Sequence, residues 1–480
     1  MLFSSITFLY YFLPVVLAVY FLVPVKNGNV RARNIVLIAA SIVFYIWGEP
    51  VYVLLLIGQT VAGWIIGLLI EKGRALGSRR MMKAALIAGI AIGVGCLGFF
   101  KYSDFFIANI NALFGSSAAL LGFALPIGIS FYTFQILSYV IDLYGGTIKV
   151  QRNLPAFTTY VTSFPQLVAG PIVRYSQIED QLEGRKHSLE DIRYGVRRFV
   201  IGLAKKVLLA NTLAEFVQIY KASEAGGENT ALYTWLYIAA YAFHIYFDFS
   251  GYSDMAIGLG RIFGFRFPEN FNYPYISKSV TEFWRRWHIS MSFWFRDYVY
   301  IRMGGNRVLA ARHLFNILFV WLITGFWHGA AWTFVFWGLY FAFVLLFEKH
   351  IIGRFLNLNN IPIYIIRHIY VMLIVLVSWV FFDAASFTEA WFRLTIMFGG
   401  AEQAVSAEAL YYLRSYIVVL IICFIGSTQI PVKAVLKILS SEKGKKILAV
   451  LEPVYILALL FVITAYLVDG SFNPFIYFRF

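Results

Sequence analysis

Charge is scarce in this sequence. Asp, Glu, Lys and Arg together make up 14% of its 480 residues, against about 25% in a soluble globular domain. Cysteine is nearly absent. Cys96 and Cys423 both sit in apolar runs; they offer no disulfide framework and no metal-ligand spacing, and read as small buried hydrophobes. The chain has no GxxxxGK[ST] phosphate loop, no HExxH, no GxSxG elbow and no CxxC. Hydrolase, ATPase and metalloprotease readings therefore lose most of their support, and no metal is expected. Basic residues are missing from the start: the first cation is Lys26, so MLFSSITFLYYFLPVVLAVYFLVPV lacks the charged opening of a cleaved signal and reads as a retained span. No soluble domain, low-complexity linker or short-period repeat interrupts the chain.

What is present is apolar and aromatic. The sequence is 60% hydrophobic and 19% aromatic, with 47 Phe and 31 Tyr, and its mean hydropathy is +0.73. The expected fold class is an all-α integral membrane protein, one membrane domain over 1–480. About 20 apolar residues cross a bilayer as a helix. Candidate spans run over 6–24, 34–48, 51–70, 84–100, 117–141, 196–218, 229–259, 313–326, 329–347, 362–382, 409–427 and 447–468. The stretch 155–173 is apolar but broken by Pro165, Gly170 and Pro171, which suits a re-entrant element buried in protein.

The net charge of +15 sorts to cytoplasmic loops rather than to nucleic acid. Lys26, Arg31 and Arg33 follow the first span; Lys72, Arg74, Arg79, Arg80 and Lys83 follow the third; Lys433, Lys437, Lys443, Lys445 and Lys446 precede the last, and Asp469 follows it. This bias puts both termini outside, and with them the aromatic tail FIYFRF, 475–480.

Polar groups in lipid are expensive, so each invites a functional reading. The stretch 279–307 carries Arg285, Arg286, Arg296, Arg302 and Arg307 with His288 among aromatic residues. It is too polar to span and too apolar for a free loop, so one or two amphipathic helices at the cytoplasmic interface are expected. Any single arginine reads as a basic anchor; the cluster reads equally as a dock for an anionic cytosolic donor, because the guanidinium fork pairs with phosphate. Further on, His328 lies between Gly325 and Gly329 in an apolar run. Counted from Arg312, it stands roughly 24 Å up a helix, past the bilayer midpoint. The glycines are expected to interrupt the helix and to let another backbone or a substrate approach closely. A neutral imidazole there suits a general base. His244, Asp248, Ser250, Ser253 and Asp254 recur with a helical period in 241–265; a proton relay and a polar seam between helices both fit them. Pro126, Gln135 and Asp142 read as packing with a buried polar stripe.

With LPIGISFYTFQILSYVIDLY, FPQLVAGPIVRY, FDFSGYSDMAIGLGRIFGF, FNYPYISKSVTEFWRRWHIS, WFRDYVYI, GGNR and GFWHGAAWTFVFWG, the chain resembles the membrane-bound O-acyltransferase family. The resembling branch is the one that O-acetylates alginate, peptidoglycan and other bacterial cell-wall polysaccharides. The likeness spans the chain and is densest over 120–345; IRMGGNR departs from it where a proline commonly precedes the glycines. The resemblance implies a ring of about 11–13 transmembrane helices, with re-entrant and interfacial helices, around a thinned core. It implies a catalytic role for His328 and, as the second motif histidine, for His288. It implies acyl transfer across the membrane from a cytosolic donor, acetyl-CoA in this branch. The ending FIYFRF resembles an acyl hand-off tail, which makes Tyr477 an acyl acceptor.

The mechanism expected from these residues docks the donor's phosphates at Arg285, Arg286, Arg296 or Arg302, with His328 as base and Tyr477 as first acceptor. Since the chain carries no such domain, an extracytoplasmic SGNH or serine-esterase-like acetyltransferase is the expected partner, and a cell-surface polysaccharide the final acceptor. The expected location is the bacterial plasma membrane. Three competing readings remain: D-alanyl transfer to teichoic acid from a carrier protein, a polymer or acyl-donor transporter without chemistry, and a scaffold for an export complex.

Overall fold

The computed structural model describes residues 1–25, 29–353 and 361–469, without the side chain of residue 361. The tail 475–480, and Tyr477 with it, lies outside the described residues. Every regular element among those described is helical. The chain divides into two compact units, Met1–Phe199 with Ser253–Glu269, and Val200–Tyr252 with Asn270–Phe480.

The first unit begins with a π-helical turn, Thr7–Phe12, that continues into α1 (Leu13–Leu22). It then holds α2 (Arg31–Ile46), α3 (Val53–Ala75), α4 (Arg79–Phe114), α5 (Ile129–Gly145), α6 (Leu154–Thr162), α7 (Phe164–Leu167), α8 (Tyr175–Gly184) and the start of α9 (Leu189–Ala204). The side chains of Ser78 and Asn153 accept the N–H of Met81 and Ala156, so each caps the helix that follows. With 36 residues, α4 is about 54 Å long and exceeds the roughly 30 Å hydrocarbon layer. It therefore overruns the expected span 84–100 and carries Lys101 and Asp104 within it. The expected span 117–141 is helical only from Ile129. Gly128 (φ +76) stands before that start, where a Cβ would lie 2.5 Å from the carbonyl oxygen of Leu167, so only glycine fits. The broken apolar stretch folds as expected: α6 and α7 are short, and 159–173 is buried without interruption.

The second unit continues through a π-helical segment, Lys205–Ala210, into α10 (Asn211–Ala225) and α11 (Ala231–Ile262), whose last part belongs to the first unit. There follow α12 (Val280–Arg286), α13 (Ile289–Phe295), α14 (Ala310–His328), α15 (Trp332–Phe347), α16 (Ile361–Asp383), α17 (Phe387–Thr395), α18 (Ala407–Gly426), α19 (Ile430–Leu439) and α20 (Glu442–Val468). The expected amphipathic helices of 279–307 are α12 and α13. Close contact between α14 and α15 depends on two glycines. A Cβ on Gly325 would meet the Phe334 carbonyl oxygen at 2.2 Å, and one on Gly338 would meet that of Trp321 at 2.2 Å.

Seven described helices are long and apolar enough to cross a membrane: Val53–Ala75, Arg79–Phe114, Ala310–His328, Trp332–Ile352, Pro362–Asp383, Ala407–Gly426 and Glu442–Val468. Large hydrophobics such as Leu54, Val450 and Phe461 lie exposed on them, as lipid-facing side chains do. The chain is a multi-span helical membrane protein.

Candidate functional site

His328 is the last residue of α14. The helix runs through Gly325 without interruption and stops at Gly329, whose backbone is extended. The expected helix break thus falls after the histidine, and the close approach allowed by Gly325 is taken by the backbone of α15. The imidazole is 4% exposed. Around it stand the rings of Trp327, Trp337 and Phe382, with centroids at 4.9, 5.0 and 5.3 Å.

Below it, on the same helix, a cavity of about 700 Å³ opens. His313, Ile317, Val320, Trp321 and Thr324 of α14 form one wall. From residue 313 to 324 this covers about 16 Å of helix. Thr324 is one turn before His328 on the same face; the histidine itself is not part of the wall. Trp337 joins the two, with its ring 5.6 Å from Trp284 of the cavity wall and 5.0 Å from the imidazole.

The cavity is basic. Arg285, Arg296, Lys349 and Arg367 line it against one carboxylate, Glu348. That carboxylate is buried and occupied: it accepts the backbone N–H groups of Val280 and Thr281 and the Thr281 hydroxyl, which fixes the start of α12. Arg285 has no ion-pair partner among the described residues, while Arg296 pairs with the neighbouring Asp297 at 2.6 Å. Lys349 Nζ lies 3.2 Å from His313 Nε2. The structure therefore brings Arg285 and Arg296 into one site and leaves two expected arginines out of it. Arg286 is bound to Glu282 at 2.8 Å along α12, a pairing set by the helical i,i+4 spacing. Arg302 lies exposed on the turn after α13, away from the cavity wall.

His288 is fully buried between α12 and α13 in the left-handed region (φ 44, ψ 54), where side chains are uncommon and strained. Asn270 holds it there. The Asn270 side-chain oxygen accepts from Ser290 N–H and Oγ–H and lies 3.1 Å from His288 Nδ1. With that oxygen an acceptor, the Nδ1 carries the proton and Nε2 is the bare lone pair. Nε2 has no hydrogen-bond partner among the described residues. Burial pushes the imidazole down to about 3, so it is neutral at ordinary pH. Both histidines pack on the Trp327 ring, at 6.0 Å for His288 and 4.9 Å for His328.

Three polar residues of 241–265 meet partners on the preceding helical segment. In the second unit, Asp248 meets Lys206 at 2.6 Å, both fully buried, and His244 Nδ1 lies 2.9 Å from the Ala210 carbonyl oxygen. In the first, Asp254 pairs with Arg198 at 2.7 Å. These partners all lie on the segment 198–210, whose π-helical turn sits at the Lys206 contact. Among the described residues no group of three or more His, Cys, Asp or Glu is gathered to hold a metal ion.

The family profile described as MBOAT, membrane-bound O-acyltransferase family, matches residues 147–387. This chain belongs to that family. It is 42% identical over 412 residues to a probable alginate O-acetylase of Azotobacter vinelandii, covering 85% of this chain and 80% of that one. A probable alginate O-acetylase of Pseudomonas aeruginosa is 42% identical over 404 residues, 83% of this chain and 75% of its own. A peptidoglycan O-acetyltransferase of Helicobacter pylori is 34% identical over 421 residues, covering 81% and 78%. The chain is an acyltransferase of the membrane.

The cavity and the histidine cluster contain residues that sequence reasoning missed. Arg367 had a signal: it is a cation inside a candidate span, which is costly in lipid. Glu348 and Lys349 mark the end of the apolar run of α15 without showing which way they turn. Asn270 and His313 had no signal, because their importance lies in partners far along the chain.

Proposed function

We propose that this acyltransferase takes an acetyl group from a cytosolic thioester, acetyl-CoA, and passes it across the membrane for O-acetylation of an extracytoplasmic polysaccharide. The observation that carries this reading is the basic cavity along α14, which ends at Thr324, one turn from His328. Its arginines and lysine suit the donor's phosphates, and its aromatic wall suits an uncharged acyl arm. The names of the alginate and peptidoglycan relatives support an acetyl group and a polysaccharide acceptor.

In this mechanism the thioester carbonyl reaches His328 by displacing the ring contacts around Trp337. His328 takes the proton of the accepting hydroxyl. The oxygen attacks the carbonyl carbon, the C–S bond breaks, and the leaving thiolate recovers the proton from the imidazolium. Tyr477 is the proposed first acceptor: a phenol of pKa about 10 loses its proton more readily than an aliphatic alcohol. The tyrosyl ester is then transferred to the glycan by an extracytoplasmic SGNH or serine-esterase-like partner, with the phenol as leaving group. This requires the tail 475–480 on the outer face, in keeping with the charge bias of the loops.

The test is mass mapping of the C-terminal peptide after incubation of the purified protein with labelled acetyl-CoA. Label on Tyr477 that is absent from Tyr477→Phe supports the relay. An unlabelled tail, with cellular acetylation unchanged in Tyr477→Phe, removes it. Label from a D-alanyl carrier but not from acetyl-CoA would replace the proposed donor.

A further inference from the structure

The first unit contains two buried guanidiniums without a carboxylate. Arg185, at the end of α8, is 4% exposed and Arg33, on α2, is 9% exposed. Their partners are neutral. Arg185 donates from Nε to the Tyr20 hydroxyl oxygen (3.0 Å) and from Nη1 to the Asn34 side-chain oxygen (2.6 Å) and the Gln181 carbonyl oxygen (3.3 Å). Arg33 donates to the Val23 carbonyl oxygen (3.0 Å) and to Nδ1 of His187 (3.2 Å). Since Nδ1 is an acceptor, the proton of His187 is on Nε2, which faces the Tyr20 hydroxyl (2.9 Å) and the Phe263 carbonyl oxygen (3.2 Å). Burial, then the charges of Arg33 and Arg185, push the His187 imidazole down to about 4. Thus neither His187 nor any carboxylate balances the two cations, and Nη2 of Arg185 is left buried with no hydrogen-bond partner among the described residues.

A buried cation without a carboxylate is expensive, and here it borders a cavity. About 260 Å³ is enclosed by Gln181, Arg185, Lys186, Asp191, Arg261 and Arg266, with Gly184 and Gly264. The one carboxylate, Asp191, is already bound to Arg261 at 2.7 Å. Gly264 (φ +85) keeps the floor open: a Cβ there would stand 3.1 Å from Arg185 Cδ and 3.1 Å from His187 Nε2. The Arg185 guanidinium also rests on the Phe265 ring, 4.4 Å from its centroid, and Asp191 feels Arg266 as well as Arg261, so one carboxylate stands against four cations in the lining. None of these residues lines the cavity along α14.

We propose that this pocket binds a phosphate-bearing anion, held by the free arm of Arg185 and closed over by Lys186 and Arg266. An arginine fork with an unused donor suits a tetrahedral oxyanion better than a halide. A phospholipid headgroup and a soluble phosphate share this chemistry, and the experiment separates them.

The full-length protein is placed in phosphatidylcholine nanodiscs and titrated with inorganic phosphate, with chloride at equal ionic strength as reference. In a second arm the nanodiscs contain phosphatidylglycerol. The thermal unfolding midpoint and native mass spectrometry report binding. The wild type is expected to gain stability in at least one arm, and Lys186→Gln/Arg266→Gln to weaken the response at least tenfold. Arg185→Lys, which keeps the charge but loses the fork, is expected to weaken it as well. A response to inorganic phosphate assigns a soluble ligand; a response only to phosphatidylglycerol assigns a headgroup. No response in either arm, or an equal response from the wild type and the Lys186/Arg266 variant, overturns the proposal.

Discussion

Thr324 and His328 stand one turn apart on the same face of α14, yet only Thr324 opens on the basic cavity. The imidazole beyond it is walled by Trp327, Trp337 and Phe382. A molecule entering from the cavity meets aromatic rings before it meets the imidazole, and those rings keep water away from it.

Replacement of His328 by Gln tests the base. The loss expected for a general base is about 10²–10⁴-fold in turnover. Acetyl release from labelled acetyl-CoA is measured at matched membrane expression, and retained turnover would remove His328 from the reaction. Trp337→Ala, which thins the wall between cavity and histidine, is expected to raise donor hydrolysis relative to transfer.

The cavity cations separate into members and bystanders. Arg285→Gln and Arg296→Gln are each expected to raise the KM for acetyl-CoA by about 10- to 100-fold, the equivalent of one charge-assisted hydrogen bond, with a smaller change in kcat. Arg302→Gln should leave both constants near the wild type, because Arg302 is exposed and away from the cavity wall. Equal effects at all three positions would mean a general basic surface rather than a site.

Lys206 and Asp248 discriminate seam from relay. Removing one partner strands a buried charge and is expected to destabilise the protein by about 3–5 kcal/mol. The double variant Lys206→Met/Asp248→Leu removes both charges and should recover much of the folded yield. If the pair only joins helices, the recovered protein acetylates normally; a folded but inactive double variant would show that protons pass there.

His288 gives a pH signature. Its folded value of about 3 lies below the ordinary value near 6.5. The unfolded chain therefore binds a proton that the folded one refuses, and stability present above pH 6.5 is lost as pH falls toward 3. His288→Gln is expected to flatten the fall of the unfolding midpoint between pH 7 and pH 4 relative to the wild type. An identical slope in both proteins would mean that the imidazole titrates in the folded protein as it does in the unfolded chain.

Sequence alone determined the solvent of this protein and its class. The runs that became α3, α14, α15 and α20 are legible because an apolar helix in lipid needs only local composition and length. His328 was singled out for a related reason, because an ionisable group in an apolar run has no cheap explanation, whereas His288 was singled out by the family resemblance. Tertiary structure decided which cations converge. Arg285 and Arg296 share a cavity with Lys349 and Arg367, while Arg286 is turned to Glu282 by its place on the helix and Arg302 stays outside. The i,i+4 spacing singles out Arg286, but no local pattern separates Arg285, Arg296 and Arg302, because side-chain direction depends on how α12, α14 and α16 pack. It also decided that Gly325 admits a neighbouring helix, since a missing Cβ acquires meaning only from the atom that occupies its place.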